Sequence, residues 1–342
     1  MTTEVLATDT PPLFQKAVVR AAALLRGGQV VALPTETVYG LAANALDETA
    51  VGKIFEIKGR PSHNPIIVHV ADGKTARGCV KQWPGTAEKL AQAFWPGPLT
   101  LILPRAEKIP ALVAAGGDTV GIRWPVHPFM QAVIRECGFP LAAPSANLSN
   151  RISPTNAAHV QAQLGGRIPL IVDGGQSQVG IESTVLDLTV SPPRILRPGM
   201  IHAESLAALG MPMAQGRWPF ESKRLKSPGL LKKHYAPKAQ LLVLNWSNEA
   251  DLQSQVGWQQ PTAAKPGSAT GNFFVIAHTN IPSGLPPANV SVIPRDAEAF
   301  ARALYAELHR CDAAGARMIV VEAPPDLPEW AGIADRLRRA AA

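Results

Sequence analysis

Lys58 and Arg60 flank a glycine in KGRPSHNPIIVH (58–69), where a helical pattern stops and two prolines restrict the chain. A cation at a helix C-terminus needs no more explanation than the helix dipole. Arg60, however, precedes Pro61 and is pushed toward extended backbone. Two cations and the amide of Asn64 in one constrained loop suit a polyphosphate. A guanidinium fork binds phosphate oxygens bidentately, and lysine adds a point charge. His69 interrupts an apolar strand pattern; taken alone, it fits a hydrogen-bonded core histidine as well as a ligand group.

Three more segments put polar groups where apolar runs end. PTETVYGLAANA (34–45) follows a strand and carries Thr35, Glu36, Thr37 and Tyr39 before Gly40. PSANLSNRISPT (144–155) offers Ser145, Asn147, Ser149 and Ser153, although serine and asparagine between prolines also make ordinary turns. GIESTVLDL (180–188) and RILRPG (194–199) place Ser183 and Thr184 at a strand start and Arg197 at a strand end. Arg123, in GIRWP, closes another strand. Ligands of open α/β sheets gather at strand ends, so these three strands are expected to bring their polar groups to one edge. There is no GxxxxGK[ST] loop, HExxH or GxSxG. Phosphate must therefore be held by side chains from several loops.

The elements that position these groups follow from periodicity. Leu13 to Leu25 has helical spacing and stops at Gly27-Gly28; Asp47 caps a helix carrying Val51, Ile54 and Phe55 that ends near Lys58-Gly59. HPFMQAVIREC (127–137) is a helix closed by Gly138. QVVALP, IIVHV (66–70), LTLIL (99–103), TVGIR (119–123), PLAA, LIVDGG, STVLDL and RILR read as strands. The alternation predicts an α/β fold: a twisted, mixed/parallel sheet with flanking helices over residues 12–208. Residues 209–238 lose periodicity and are rich in proline and lysine, which reads as a linker. Residues 239–342, with strands LLVLNW, FFVIAH and MIVVEAP and two late helices, predict a second, smaller α/β (Rossmann-like) domain.

Bulk properties agree with two domains in 342 residues. The three cysteines, Cys79, Cys137 and Cys311, form no CxxC pair, so no zinc knuckle or disulfide framework is expected. No apolar run is long enough to span a membrane, and a cytoplasmic setting with no membrane partner is the default expectation. The net charge is +7, and residues 209–238 hold seven Lys/Arg against one acidic residue. Such a strip fits a phosphate-bearing partner or a solvated linker equally well.

Taken as an ordered set, PTETVYGL, KGRP…NPIIVH, PSAN and ESTVLD…RPG resemble the YrdC-like domain of threonylcarbamoyl-AMP synthases. SPGLLKKHYAP resembles the linker of the longer, two-domain members, and the last hundred or so residues match in size and pattern. The resemblance implies an ATP-using nucleotidyltransferase of tRNA processing that joins L-threonine, bicarbonate and ATP, assisted by Mg²⁺, into threonylcarbamoyl-adenylate. A partner transferase complex then carries the threonylcarbamoyl group to tRNA. It implies that Lys58 and Arg60 hold the ATP phosphates and are the catalytic pair. Asn64, Ser145, Asn147, Ser153, Arg197 and, more weakly, Thr119 join them at the nucleotide. Thr37, His69, Arg123 and Ser183 surround threonine, and Tyr235, beside His234, reaches back onto the nucleotide as a lid. No protein-held metal is implied. Where the family has methionine, a basic and an aromatic residue after SPG, this chain has Leu230, Leu231 and Lys232, while His234-Tyr235-Ala236-Pro237 is kept.

Two other readings remain open at this level. The basic strip fits an RNA-binding or ribosome-assembly factor holding RNA backbone weakly. The related domain of hydrogenase-maturation proteins makes a carbamoyl-adenylate, but the acylphosphatase-like and zinc-finger segments that accompany it are absent here.

Overall fold

The computed structural model of the chain describes residues 2–214, 226–229, 231, 233–257 and 272–342. Two compact units divide it: residues 1–149 with 153–231, and residues 150–152 with 232–342.

The first unit is built on ten strands: β1 (Glu4–Ala7), β2 (Val31–Leu33), β3 (Gly40–Asn44), β4 (Ile67–His69), β5 (Leu99–Pro104), β6 (Thr119–Arg123), β7 (Leu141–Ala142), β8 (Leu170–Asp173), β9 (Thr184–Asp187) and β10 (Arg194–Arg197). They form one mixed sheet in the order β1-β8-β2-β3-β7-β4-β6-β5-β9-β10. Around it lie α1 (Pro11–Arg26), α2 (Glu48–Lys58), α3 (Gly73–Gly78), α4 (Gly85–Phe94), α5 (Pro128–Cys137), α6 (Ala157–Leu164) and α7 (Ala203–Ala207). Local chemistry sets the helix limits. The Asp47 carboxylate accepts from the amides of Thr49 and Ala50 at 2.9 and 3.1 Å and starts α2. Gly59, at φ 59°, supplies the left-handed residue that ends it.

Alternation along the strands sorts side chains to two faces. Ala32, Leu41, Ala43, Val68, Leu101, Leu103, Val120, Ile122 and Leu186 belong to the larger core with residues of α2, α4 and α6. Val31, Leu33, Ala42, Leu170 and Val172 face the other way, under α1 and α5. Those two helices cover only the β8-β2-β3-β7 side of that face. Over β4, β6, β5 and β9 the same face carries Ile67, His69, Gly121, Arg123, Thr100, Ile102 and Val185. A Cβ on Gly121 would sit 3.1 Å from both Thr100 Cγ2 and Ile102 Cδ1, which confirms that these residues share a face.

Several elements depart from the sequence reading. β1, N-terminal of residue 12, pairs in parallel with β8 and extends the sheet. β3 begins at Gly40, inside the segment 34–45, where no strand was expected. The short helices α3 and α4 open on glycine and were not foreseen.

The second unit holds a four-stranded parallel sheet in the order β11-β14-β12-β13. Its strands are β11 (Gln240–Leu244), β12 (Phe273–Ala277), β13 (Val290–Val292) and β14 (Met318–Glu322), and its helices α8 (Glu249–Val256), α9 (Ala297–Ala313) and α10 (Ala331–Ala340). The linker splits between the units. Within the first, Lys226 pairs with Asp187 at 3.0 Å and Pro228 accepts from Arg197 at 3.4 Å. Leu230, Lys232, Trp218, Phe220, Lys223 and Arg224 lie outside the described residues. Among the described residues no helix is long and apolar enough to cross a membrane.

Candidate active site

The loop between β2 and β3 is fixed by its own hydroxyls. Thr35 Oγ1 donates to the Val38 carbonyl at 2.6 Å and accepts from the amides of Thr37 and Val38 at 3.2 and 3.3 Å. Because the Thr35 proton is so used, its 3.0 Å contact with Thr37 Oγ1 has Thr37 as donor. The backbone is held on both flanks. Val179 and Gly180 donate to the carbonyls of Glu36 and Thr37 at 2.7 and 3.1 Å, while the Tyr39 amide donates to Pro154 and its carbonyl accepts from Ala146, at 2.9 and 2.8 Å.

One polar group gathers where β4 and β6 end. Arg123 and His69 are register partners on adjacent parallel strands, so their side chains share one face of the sheet, and both are buried. Arg123 donates to Thr37 Oγ1 at 2.9 Å, to Glu36 Oε1 at 2.6 Å and, through Nε, to the Gly97 carbonyl at 3.4 Å. Burial, then the neighbouring Arg123 charge, brings the pKa of His69 down to about 3, so it is neutral at physiological pH. Its Nδ1 is buried without a hydrogen-bond partner among the described residues. Ser183, just before β9, contacts Thr100 Oγ1 at 2.8 Å. Arg197 donates to the Ser183 carbonyl and hydroxyl, both at 3.1 Å. The pairing of Leu101 with both Ile122 and Leu186 puts the end of β6 and the start of β9 at one end of the sheet. Arg123, Ser183 and Arg197 thus meet there, on a sheet face rather than along an edge.

A second group lies toward the other end. Lys58 Nζ is turned inward, donating to the carbonyls of Ser145 (2.5 Å) and Asn147 and to Asn147 Oδ1 (3.2 Å). The bland assignment of a solvated lysine at a helix terminus therefore fails. Arg60 donates to the carbonyls of Asn64 and Pro65 at 3.0 and 2.6 Å. The oxygens in these bonds are all uncharged. Burial, then the Arg60 charge, pulls the Lys58 pKa well below its usual value. Asn64 is fully buried, and neither amide atom has a partner among the described residues. Ser145 Oγ donates to Asn147 Oδ1 at 2.5 Å. Thr119, half-buried at the start of β6, is about 13 Å along the strand from Arg123. The two groups thus lie toward opposite ends of the sheet, Lys58 and Arg60 toward one and Arg123, Glu36 and Thr37 at the other.

Ser153 and Tyr235 are the remaining residues expected at the nucleotide. Ser153 donates to the Glu182 carboxylate at 2.6 Å. Tyr235 belongs to the second unit, where it adopts φ 61° and its ring sits 4.0 Å from His234, 6.0 Å from Tyr305 and 5.3 Å from the Arg336 guanidinium. Sequence reasoning gave no role to Glu36, Thr100 or Glu182. The signals were a carboxylate among hydroxyls in PTETVY and one polar residue inside LTLIL.

Two family models match the chain. Residues 23–199 match the Sua5/YciO/YrdC family model, described as "Telomere recombination", and residues 201–342 match the model for the threonylcarbamoyl-AMP synthase C-terminal domain. The chain is 42% identical to the threonylcarbamoyl-AMP synthase of Bacillus subtilis over 99% of this chain and 95% of the relative. It is 39% identical to that of Pyrococcus abyssi, covering 94% and 92%. The crystal structure of P. abyssi Sua5 complexed with L-threonine superposes with a TM-score of 0.85 at 34% identity, covering 100% of this chain and 98% of that one.

Proposed function

From the premise that this chain belongs to the threonylcarbamoyl-AMP synthase family, we infer that it makes threonylcarbamoyl-AMP from L-threonine, bicarbonate and ATP. The observation that carries the reading is two buried basic side chains, Lys58 and Arg60, toward one end of the sheet and the buried Arg123-Glu36-Thr37 group at the other. In balance, the threonine ammonium and bicarbonate give an N-carboxylate, water and a proton. An oxygen of that carboxylate then attacks the α-phosphorus of ATP, and pyrophosphate leaves.

The residue roles follow from charge and position. Lys58 and Arg60 hold the ATP phosphates, and Asn64, whose buried amide is unspent, takes a further nucleotide oxygen with Ser145 and Asn147. Thr119, Ser153 and Arg197 border the same nucleotide. Arg123 takes the threonine carboxylate, while Thr37, Ser183 and neutral His69 contact its polar groups. No covalent nucleophile is needed, because positioning and charge neutralisation serve adenylyl transfer. Mg²⁺ comes with the substrate as its ATP complex. The ion, when bound, neutralises phosphate charge.

Residues 12–208 carry the chemistry, 209–238 are a basic linker and lid, and 239–342 form a small C-terminal α/β domain. The product goes to a tRNA-modifying transferase complex. A cytoplasmic setting suits three free, buried cysteines.

The test is pyrophosphate release from the purified full chain with ATP, bicarbonate, Mg²⁺ and L-threonine. Release only when threonine is present is expected. Release without threonine, or none at all, overturns the reading.

A further inference from the structure

We propose that Glu36 binds the α-ammonium of the amino-acid substrate through its Oε2 and so sets the preference for an amino acid over a hydroxy acid. This rests on the threonine-activating reading above and adds a residue to that site.

A carboxylate offers about four lone-pair positions over its two oxygens. Glu36 Oε1 is occupied by the Arg123 guanidinium at 2.6 Å. Oε2 is buried and has no hydrogen-bond partner among the described residues. The side chains of Glu36 and Arg123 are each 5% exposed, so bulk water does not compensate that oxygen. An unsatisfied buried polar atom is costly, and a charged one more so. Neighbouring groups do not supply the missing donor. The Thr37 proton goes to Thr35, whose own proton goes to Val38. His127 acts on Glu36 only through space, and burial lowers its pKa, so it is no standing cation there.

Arg123 presents the complementary half. A guanidinium has five N–H donors. Three are engaged, by Gly97, Thr37 and Glu36, and these fix the plane of the fork. The remaining donors flank a carboxylate oxygen that wants a cation. A zwitterionic α-amino acid carries its carboxylate and ammonium on one carbon, so it matches a contacting Arg-Glu pair charge for charge. A 2-hydroxy acid satisfies the arginine and leaves Glu36 Oε2 unpaired. A site built this way rejects the analogue through that uncompensated group. In Glu36 the PTETVY loop thus supplies a selecting charge to this end of the site, beside the Thr37 hydroxyl.

The test uses calorimetric titration of the full chain with L-threonine and with (2S,3R)-2,3-dihydroxybutanoate, in which a hydroxyl replaces the amine. Wild type is expected to favour threonine by about 30-fold or more, the loss that follows from unpairing a buried charge. Glu36→Gln keeps an oxygen for Arg123 and removes the charge. It is expected to weaken threonine by about 30-fold while changing the hydroxy acid by less than about 3-fold. Glu36→Asp keeps the charge and is expected to preserve the preference with weaker binding of both ligands. Equal weakening of both ligands in Glu36→Gln overturns the proposal, because Glu36 would then act only by holding Arg123. A wild-type preference below about 3-fold overturns it without any variant. Absence of threonine binding by wild type overturns the activating reading itself, and the two failures are distinct.

Discussion

Arg123 and Thr37 are joined by a 2.9 Å hydrogen bond although their strands lie on either side of β7 and β4 in the sheet. Thr37 precedes the start of β3, whereas Arg123 ends β6. Both strands are oriented oppositely to β7, so by strand direction these positions belong to opposite ends of the sheet. The bond exists because the loop from residue 34 to 39 folds back toward the end of β6. This one loop therefore ties the Arg123 end of the sheet to the end that holds Ser145 and Lys58.

Arg123→Lys is expected to raise the KM for L-threonine by about 30-fold or more while leaving the KM for ATP nearly unchanged. Lysine supplies the charge but not the fork that Thr37, Glu36 and Gly97 hold in place. Pyrophosphate release with each substrate varied in turn measures the split. An equal rise in both constants removes the assignment of Arg123 to the amino acid.

Lys58→Ala and Arg60→Ala are each expected to abolish threonine-dependent pyrophosphate release. They are not expected to be silent in stability. Lys58 is the donor to three buried oxygens around Ser145 and Asn147, and Arg60 the donor to Asn64 and Pro65. Losing either leaves buried acceptors unpaired, at about 1–3 kcal/mol. Urea unfolding gives the stability term separately. Variants that retain normal turnover remove the phosphate-clamp role.

Much of this was legible in the sequence. The strand ending at Arg123, the helix from Asp47 to Lys58 and the closing glycines follow from period and caps. β1 was not, because EVLA is only partly buried and gains its pairing from β8, far along the chain. β3 was hidden because its small residues run on from a polar loop. The site shows the same limit. Lys58 and Arg60 announce themselves by charge within one constrained loop. Glu36 acquires meaning only from Arg123, and Ser183 only from Arg197 and Thr100, contacts that no local pattern specifies.

His69 is expected to make the fold acid-sensitive. Its folded pKa is about 3, against about 6.5 when unfolded. Below the unfolded value the unfolded chain takes up a proton that the folded chain refuses. Stability is therefore full above roughly pH 6.5 and declines as pH falls toward 3. Relative to His69→Gln, the wild type should lose about 2 kcal/mol between roughly pH 7 and 5. Urea unfolding of both proteins across that range checks this, and parallel curves count against a neutral buried His69.

Truncation after Lys226 is expected to weaken ATP binding while the first unit stays folded. Its sheet is complete without residues beyond 226, and both described cores of that unit lie within residues 1–214. The loss includes Pro228, which accepts from Arg197, and Tyr235, held at φ 61° with its ring against Arg336 and Tyr305. Calorimetric ATP titration of both lengths measures the effect. Equal affinity removes the lid role of Tyr235.

The RNA-binding alternative turns on Lys223, Arg224 and Lys226, and the structure changes how it must be tested. Lys226 is paired with Asp187, itself buried, and also donates to Thr189 at 3.0 Å. Lys226→Glu would set a second carboxylate beside Asp187, so any loss of RNA binding could follow from local unfolding. The clean variant is Lys223→Glu with Arg224→Glu, keeping Lys226. If the strip is a lid, tRNA affinity is expected to stay the same, and so is its dependence on salt. If the strip tracks RNA backbone, removing two phosphate contacts should flatten the slope of log affinity against log salt by about 1.4–1.8. The slope is the better readout, because a change in affinity alone also follows from altered net charge at a distance.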